Sequence, residues 1–208
     1  MISPELAEKI TIHKGDATDS AAVEAAICKH ECDAIVNTAS NLVFSDMIKQ
    51  PSGYIGDSVS SAAVRAGKKR GRPLRAWFIG GIGSLGYPHT GYKIHDYMPY
   101  WTTHHHRVTE ATLKSISVND LEWTLLCVGM MWPESDSRDV LPAPRHHSLA
   151  VGVQTPPGWQ DHWIRDVPLN TVLEDVADLI AEHFGETSRE HFVGELIGMK
   201  EEEKPKNG

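Results

Sequence analysis

Three consecutive histidines, His104, His105 and His106, stand just after Tyr97, Tyr100 and Trp101. Imidazoles exchange protons near neutral pH, so this grouping offers general acid–base chemistry, with His104, His105 and the Tyr97 hydroxyl as candidate catalytic groups. If a helix carries the three, successive side chains point about 100 degrees apart and no more than two of them share a crevice. The same divergence argues against a metal centre, since no His-x-x-x-His pair or acidic partner accompanies them. Ser84 is a further catalytic candidate, ending the glycine-rich Gly80-Gly81-Ile82-Gly83-Ser84. Its hydroxyl suits the orientation of a substrate oxygen, and it suits a plain turn equally well.

The elements that must position these groups follow from apolar periodicity. Ile10 to Lys14 reads as a short strand. Gly15-Asp16-Ala17-Thr18-Asp19 supplies turn chemistry with a helix cap, and Ala21 to Lys29 an Ala-rich helix. Asp33 to Ala39 is an apolar run without alternation, as in a strand covered on both faces. A loop-like stretch, Asn41 to Gly53, precedes a helix predicted over Tyr54 to Lys69 from the spacing of Ile55, Val59, Ala62, Ala63 and Ala66. Arg75 to Ile79 and Leu121 to Val128 read as buried strands, with a helix over Thr102 to Ile116 between them. Pro88, Gly91 and Pro99 mark the approach to Trp101 as irregular, the place for a substrate loop. A Pro-rich connection then runs to about Pro157, with one strand at Ser148 to Val153. Thr171-x-x-Glu174 is a capping-box pattern ahead of the stripe Leu173, Val176, Ala177, Ile180 and Phe184, and His191 to Ile197 reads as a last strand.

This alternation predicts an α/β fold, a Rossmann-like, mainly parallel sheet flanked by helices, as one domain over 1–200 with a solvated tail at 201–208. Such sheets bind ligands in the crevice beyond the carboxyl ends of their strands. Four ends are small and polar: Gly15-Asp16, Asn37-Thr38-Ala39-Ser40, Gly80 to Ser84, and Gly129-Met130-Met131. Each alone is a turn; together they let a flat ligand lie against backbone.

Composition sets the outer bounds. With 208 residues, 40% apolar and 23% charged, the chain falls in the ordinary globular range, which excludes collagen-like, coiled-coil and wholly disordered classes. Twenty basic against 28 acidic residues give a net charge of -8, which repels nucleic acid and anionic membranes and leaves a small-molecule substrate as the expected partner. No apolar run approaches the ~18 residues that span a bilayer, and Met1 to Lys9 lacks a signal-peptide core, so a soluble cytoplasmic protein is expected. Cys28, Cys32 and Cys127 are too few for a disulfide framework and are read as small core residues. Lys68, Lys69, Arg70 and Arg72 read as solvated cations at a helix C-terminus.

Taken in order, Gly15-Asp16, Asn37-Thr38-Ala39, Gly80 to Leu85 and Asp120-Leu121-Glu122-Trp123-Thr124 resemble the stations of atypical short-chain dehydrogenases with an NmrA-like NAD(P)H-binding domain. Flavin and biliverdin-IXβ reductases belong to that group, and the resemblance spans about residues 10–185. It implies NADP or NAD as cofactor, with Asp16 by the adenine, Asn37, Thr38 and Ala39 along the ribose, and Ser84 facing nicotinamide and substrate. The strand-end glycines Gly80, Gly81 and Gly129 complete the expected cofactor-binding set.

The chain departs from that pattern twice. The glycine-rich turn that holds the pyrophosphate should lie upstream of residue 10, within an opening strand, helix and strand, and Met1 to Lys9 contains no glycine. Gly81-Ile82-Gly83-Ser84-Leu85-Gly86 matches G-x-G-x-x-G, yet Tyr87-Pro88 cannot open the helix that the pattern requires. The Tyr-x-x-x-Lys proton-delivery pair is missing too: Tyr97 has Trp101 and Tyr100 has His104 at that spacing. The leading reading is a reductase that moves hydride to a small carbonyl, quinone or flavin-like acceptor, with dinucleotide binding impaired. Its alternatives are a cofactor-free binding or sensor module, an isomerase or dehydratase using Tyr97 and His104 to His106, and a sequence that lacks an upstream exon. The choice of NAD or NADP, the substrate and the oligomeric state stay open, a homo-oligomer among the options.

Overall fold

A computed structural model describes residues 5, 8–39, 54–86, 91–97, 100–132, 147–151, 170–184 and 192–201. The expected loop at 41–53, most of the Pro-rich connection and the tail at 202–208 lie outside them. The helices are α1 (Ser20–Lys29), α2 (Ile55–Arg70), α3 (Tyr100–Ser115) and α4 (Leu173–Glu182). The strands are β1 (Ala34–Asn37), β2 (Leu74–Gly81), β3 (Leu121–Val128), β4 (Met130–Trp132), β5 (His147–Val151), β6 (Asn170–Val172) and β7 (Glu195–Glu201). The main sheet runs β1-β2-β3-β7-β5; its first four strands are mutually parallel and β5 closes it antiparallel to β7. This is the Rossmann-like arrangement that the alternation predicts.

β2 and β3 form the centre, paired in register from Leu74↔Leu121 to Gly81↔Val128. All of Leu74 to Phe78, and all of β3 except Glu122, are buried. Successive side chains alternate between faces, so these strands feed two cores. Ala76, Phe78, Leu125 and Cys127 pack toward α2 and α3 with Ala62, Ala66 and Leu113, while Trp77, Leu126 and Val128 pack toward α4 with Val176, Leu179 and Ile180. Each fully buried large side chain contributes roughly 1.5–3 kcal/mol over the exposed state.

Caps fix the helix ends. Asp19 accepts the amide N–H groups of Ala21 and Ala22 at the start of α1. Gly71 at φ 73° closes α2, a left-handed position that favours glycine. The basic cluster there is paired and not simply solvated: Lys68 meets Asp120, Lys69 meets Glu24, and Arg70 and Arg72 both meet Asp33.

Several expectations are corrected. Residues 10–14 form no strand, and Ile12 is 84% exposed; a lone extended segment has no ladder to satisfy its amides. Among the described residues β1 is an edge strand, and its faces are unequally covered: Ile35 packs against the core while Val36 is 42% exposed. Cys28 is exposed because it falls on the outer side of α1, whereas Cys32 is half-buried against the core and Cys127 fully buried. Thr171 belongs to β6, which pairs with β4 in a small second sheet, so the helix start passes to Val172 and Leu173. The last strand begins four residues later than its apolar pattern, because Phe192 at φ 62° and Gly194 at φ 77° turn the chain just before it.

Candidate active site

Register places the strand ends. Gly81 is opposite Val128, so Gly80, Gly81 and Gly129 stand side by side where β2 and β3 finish. Asn37 is opposite Phe78, so Thr38 and Ala39 leave the sheet beside that same end; the Asn37 amide donates to the Ala39 carbonyl at 3.3 Å. Asp16 is set apart. Its carboxylate accepts the Thr18 N–H at 2.9 Å and the Thr18 hydroxyl at 2.7 Å, bonds that hold its pKa below the usual carboxylate range. It lines a separate cavity beside α1.

Beyond Gly81 the chain makes a 3-10 turn, Ile82–Ser84; Tyr87 and Pro88, on which the absence of a following helix is expected to turn, lie outside the described residues. Ser84 is 2% exposed, and among the described residues its hydroxyl has no hydrogen-bond partner. A buried hydroxyl left so costs about 1–3 kcal/mol, which makes it a candidate for pairing with a ligand.

α3 supplies the second part. The Gly81 N–H donates to Nδ1 of His106 at 3.2 Å, so the proton of the neutral ring sits on Nε2. The ring presses so closely on Gly81 that a Cβ there would lie 2.3 Å from its Cε1. A Cβ on Gly80 would lie 2.8 Å from Leu125 Cδ1. Both glycines are therefore required by internal packing on their Cβ sides. The His105 ring lies against His106, tilted by 42° with centroids 3.8 Å apart. His95, in the turn Ile94–Tyr97, is 5% exposed and lies against Gly83, whose Cβ would be 3.3 Å from its own.

This nest keeps its imidazoles neutral. Burial first, then the neighbouring His105 and His95, lowers the His106 pKa to about 4. Burial and then Arg107 lower His95 to about 4. Burial and then His104 lower His105. Among the described residues no three His, Cys, Asp or Glu side chains stand together as a metal-binding group.

Residues 93–96 are tied to α3. Arg107 donates to Asp96 at 3.0 Å and to the His95 carbonyl at 2.5 Å, and Glu110 pairs with both Lys93 and Lys114. Burial and the facing Lys114 lower the Lys93 pKa to about 8.

The sequence candidates therefore separate. Ser84 is at the strand end as expected. His105 reaches it through His106, whereas the His104 ring meets Tyr54 edge-on at 5.7 Å and Tyr97, 46% exposed, packs on Tyr92. The sequence reading undervalued His106 and missed His95. A signal for His106 was present: Thr103, His106, Glu110 and Leu113 recur at helical spacing, and Thr103, Glu110 and Leu113 are buried, so His106 shares the inward face. His95 carries no such signal, because a contact made by a loop leaves no period.

The fit of a nicotinamide dinucleotide divides along the same line. Ser84 and the neutral His106 donor suit the polar edge of a nicotinamide or of an acceptor. The start of α1 does not suit phosphates, since Asp19 caps it and Asp16 stands one turn before it, both acidic. Among the described residues no glycine turn opens a helix next to a strand end.

No protein-family model matches the chain and no curated protein does. Solved structures do match in fold. A short-chain dehydrogenase/reductase from Veillonella parvula in complex with NADP superposes at TM-score 0.58 and 18% identity, covering 96% of this chain and 76% of that one. A proposed NADH-flavin reductase from Streptococcus pneumoniae gives 0.60 and 15%, covering 93% and 81%. A proposed exported protein from Burkholderia pseudomallei gives 0.61 and 18%, covering 92% and 81%. The fold is thus that of NAD(P)-dependent reductases, epimerases and short-chain dehydrogenases. Among the described residues no helix is long and apolar enough to cross a membrane.

Proposed function

We propose that the chain is a nicotinamide-dependent oxidoreductase that reduces a small carbonyl, quinone or flavin-like acceptor at the joint end of β2 and β3. The observation that carries this reading is the buried Ser84 hydroxyl, without a hydrogen-bond partner among the described residues, in the turn that directly follows Gly81, whose N–H is bound by neutral His106. NADP or NAD, when bound, supplies the hydride. The chain's own residues orient the acceptor: the Ser84 hydroxyl donates to its oxygen, and the Gly81 N–H keeps the His106 proton on Nε2. With no Tyr-x-x-x-Lys pair, the proton for the product oxygen comes from solvent relayed past His105 and His106. Gly80, Gly81 and Gly129 present backbone to the ring, and Asn37, Thr38 and Ala39 take the ribose side. Fluorescence titration of the purified chain with NADPH and with NADH tests this; saturable binding of either is expected, and none at millimolar cofactor overturns it.

One observation favours a second reading. Asp16 and Asp19 make the α1 start repel phosphate, which fits an isomerase, dehydratase or sensor that works without a dinucleotide. On that reading, turnover without added cofactor responds to Tyr97→Phe or His105→Ala.

A further inference from the structure

Arg107 makes bonds that end on three different groups. Its Nε–H donates to the Thr103 hydroxyl, one turn earlier in α3, at 3.4 Å, one terminal N–H to the Asp96 carboxylate at 3.0 Å, and the other to the His95 carbonyl at 2.5 Å. Asp96 also accepts the Lys93 N–H at 2.8 Å, so residues 93–96 are closed on themselves and fastened to one planar guanidinium. The opposite side of that segment meets the end of β2. The Ile94 N–H donates to the Leu85 carbonyl at 3.0 Å, Gly86 bridges Lys93 in antiparallel fashion, and His95 lies against Gly83. Ser84 is therefore held in sequence between Gly83 and Leu85, both of which touch the segment that Arg107 anchors.

We infer that Arg107 is a positioning residue, which fixes the turn carrying Ser84 by way of residues 93–96. This role rests on the reading of Ser84 as the group that orients the acceptor. Stability accounts for little of the arrangement, because the Arg107 and Asp96 side chains are 29% and 33% exposed and such pairs contribute little. Placement accounts for more, since a shift of about 1 Å at a reacting group costs up to about a hundredfold in rate. The same cation faces the His95 imidazole: Arg107 and Lys93 oppose its protonation, Asp96 favours it, and His106 lies near enough to feel the His95 charge. Charge and fork can therefore be separated, because lysine at position 107 keeps the first and loses the second.

NADPH-dependent reduction of menadione, benzaldehyde and riboflavin by the 208-residue chain, joined to histidine-ring NMR titration, tests the inference. Arg107→Lys should lower kcat/KM about tenfold or more for whichever acceptor the wild type reduces, while His95 still titrates well below the ordinary 6.5. Arg107→Gln should lower kcat/KM likewise and move the His95 titration upward by about half a unit or more. Where that variant does not fold, Asp96→Asn is the second charge variant, and it should move His95 downward. The inference fails if Arg107→Lys retains the wild-type kcat/KM, or if neither charge variant moves His95. Should the wild type reduce no acceptor, the functional reading fails, and positioning is then read from amide shifts alone. Gly83 and Ser84 should move in Arg107→Lys while Ala34–Asn37 stay in place; unmoved Gly83 and Ser84 overturn the inference.

Discussion

The two sides of the strand-end crevice are built differently. At β2 and β3 the strand end is packed on one side: Leu125 and His106 occupy the Cβ sides of Gly80 and Gly81, and Arg107 and Glu110 hold Asp96 and Lys93 to α3. At β1, among the described residues, the sheet ends, Asp16 bonds to Thr18, and both line one cavity. A closed side can hold a reacting atom in place, because its groups have no room to shift. An open side can admit a partner but cannot orient one alone. On the proposed function the chemistry falls to Ser84 and His106.

The largest expected effect tests the packing half of this contrast. Leu126→Ala, in the fully buried centre of β3, should lose about 2–5 kcal/mol in urea unfolding. Val36→Ala, at the half-open edge, should lose under about 1 kcal/mol. Equal losses would mean that the edge is covered and the contrast false.

Next comes the contact that joins site to core. Gly81→Ala should cost about 1–3 kcal/mol, because its Cβ meets His106. Adding His106→Ala should recover most of that loss. Gly15→Ala, whose nearest contact would be His13 at 3.8 Å, should show no steric penalty. Recovery by His106→Ala is the part that a general intolerance of β2 could not produce.

How far the sequence made this legible follows from the same contrast. Every element that buries a run of side chains announced itself: β2, β3, α2 and α3 appear within a few residues of their apolar patterns. Residues 10–14 misled, because an apolar run signals a strand only when a neighbour supplies the ladder. β4 and β6 were silent, being three residues each with no period to read. At the site, the strand-end position of Ser84 and the inward helical register of His106 were legible, while His95 depends on a loop contact with Gly83 that leaves no period.

A smaller effect concerns pH. His95 and His106 have folded pKa values of about 4, below the ordinary 6.5. The unfolded chain therefore takes up protons first, so the contribution of these two histidines should fall as pH drops from about 6.5 to about 4 and level off below. His106→Gln should flatten that slope in unfolding measured across the range. An unchanged slope would place the titration elsewhere.

The central claim is that a nicotinamide dinucleotide is used at the closed side, and amide NMR of the labelled chain titrated with NADPH and NADH tests it most directly. The account predicts saturable shifts at Gly80, Gly81, Ser84 and Gly129. Silence at those amides in millimolar cofactor, or shifts confined to α1 and residues 11–17, would contradict it.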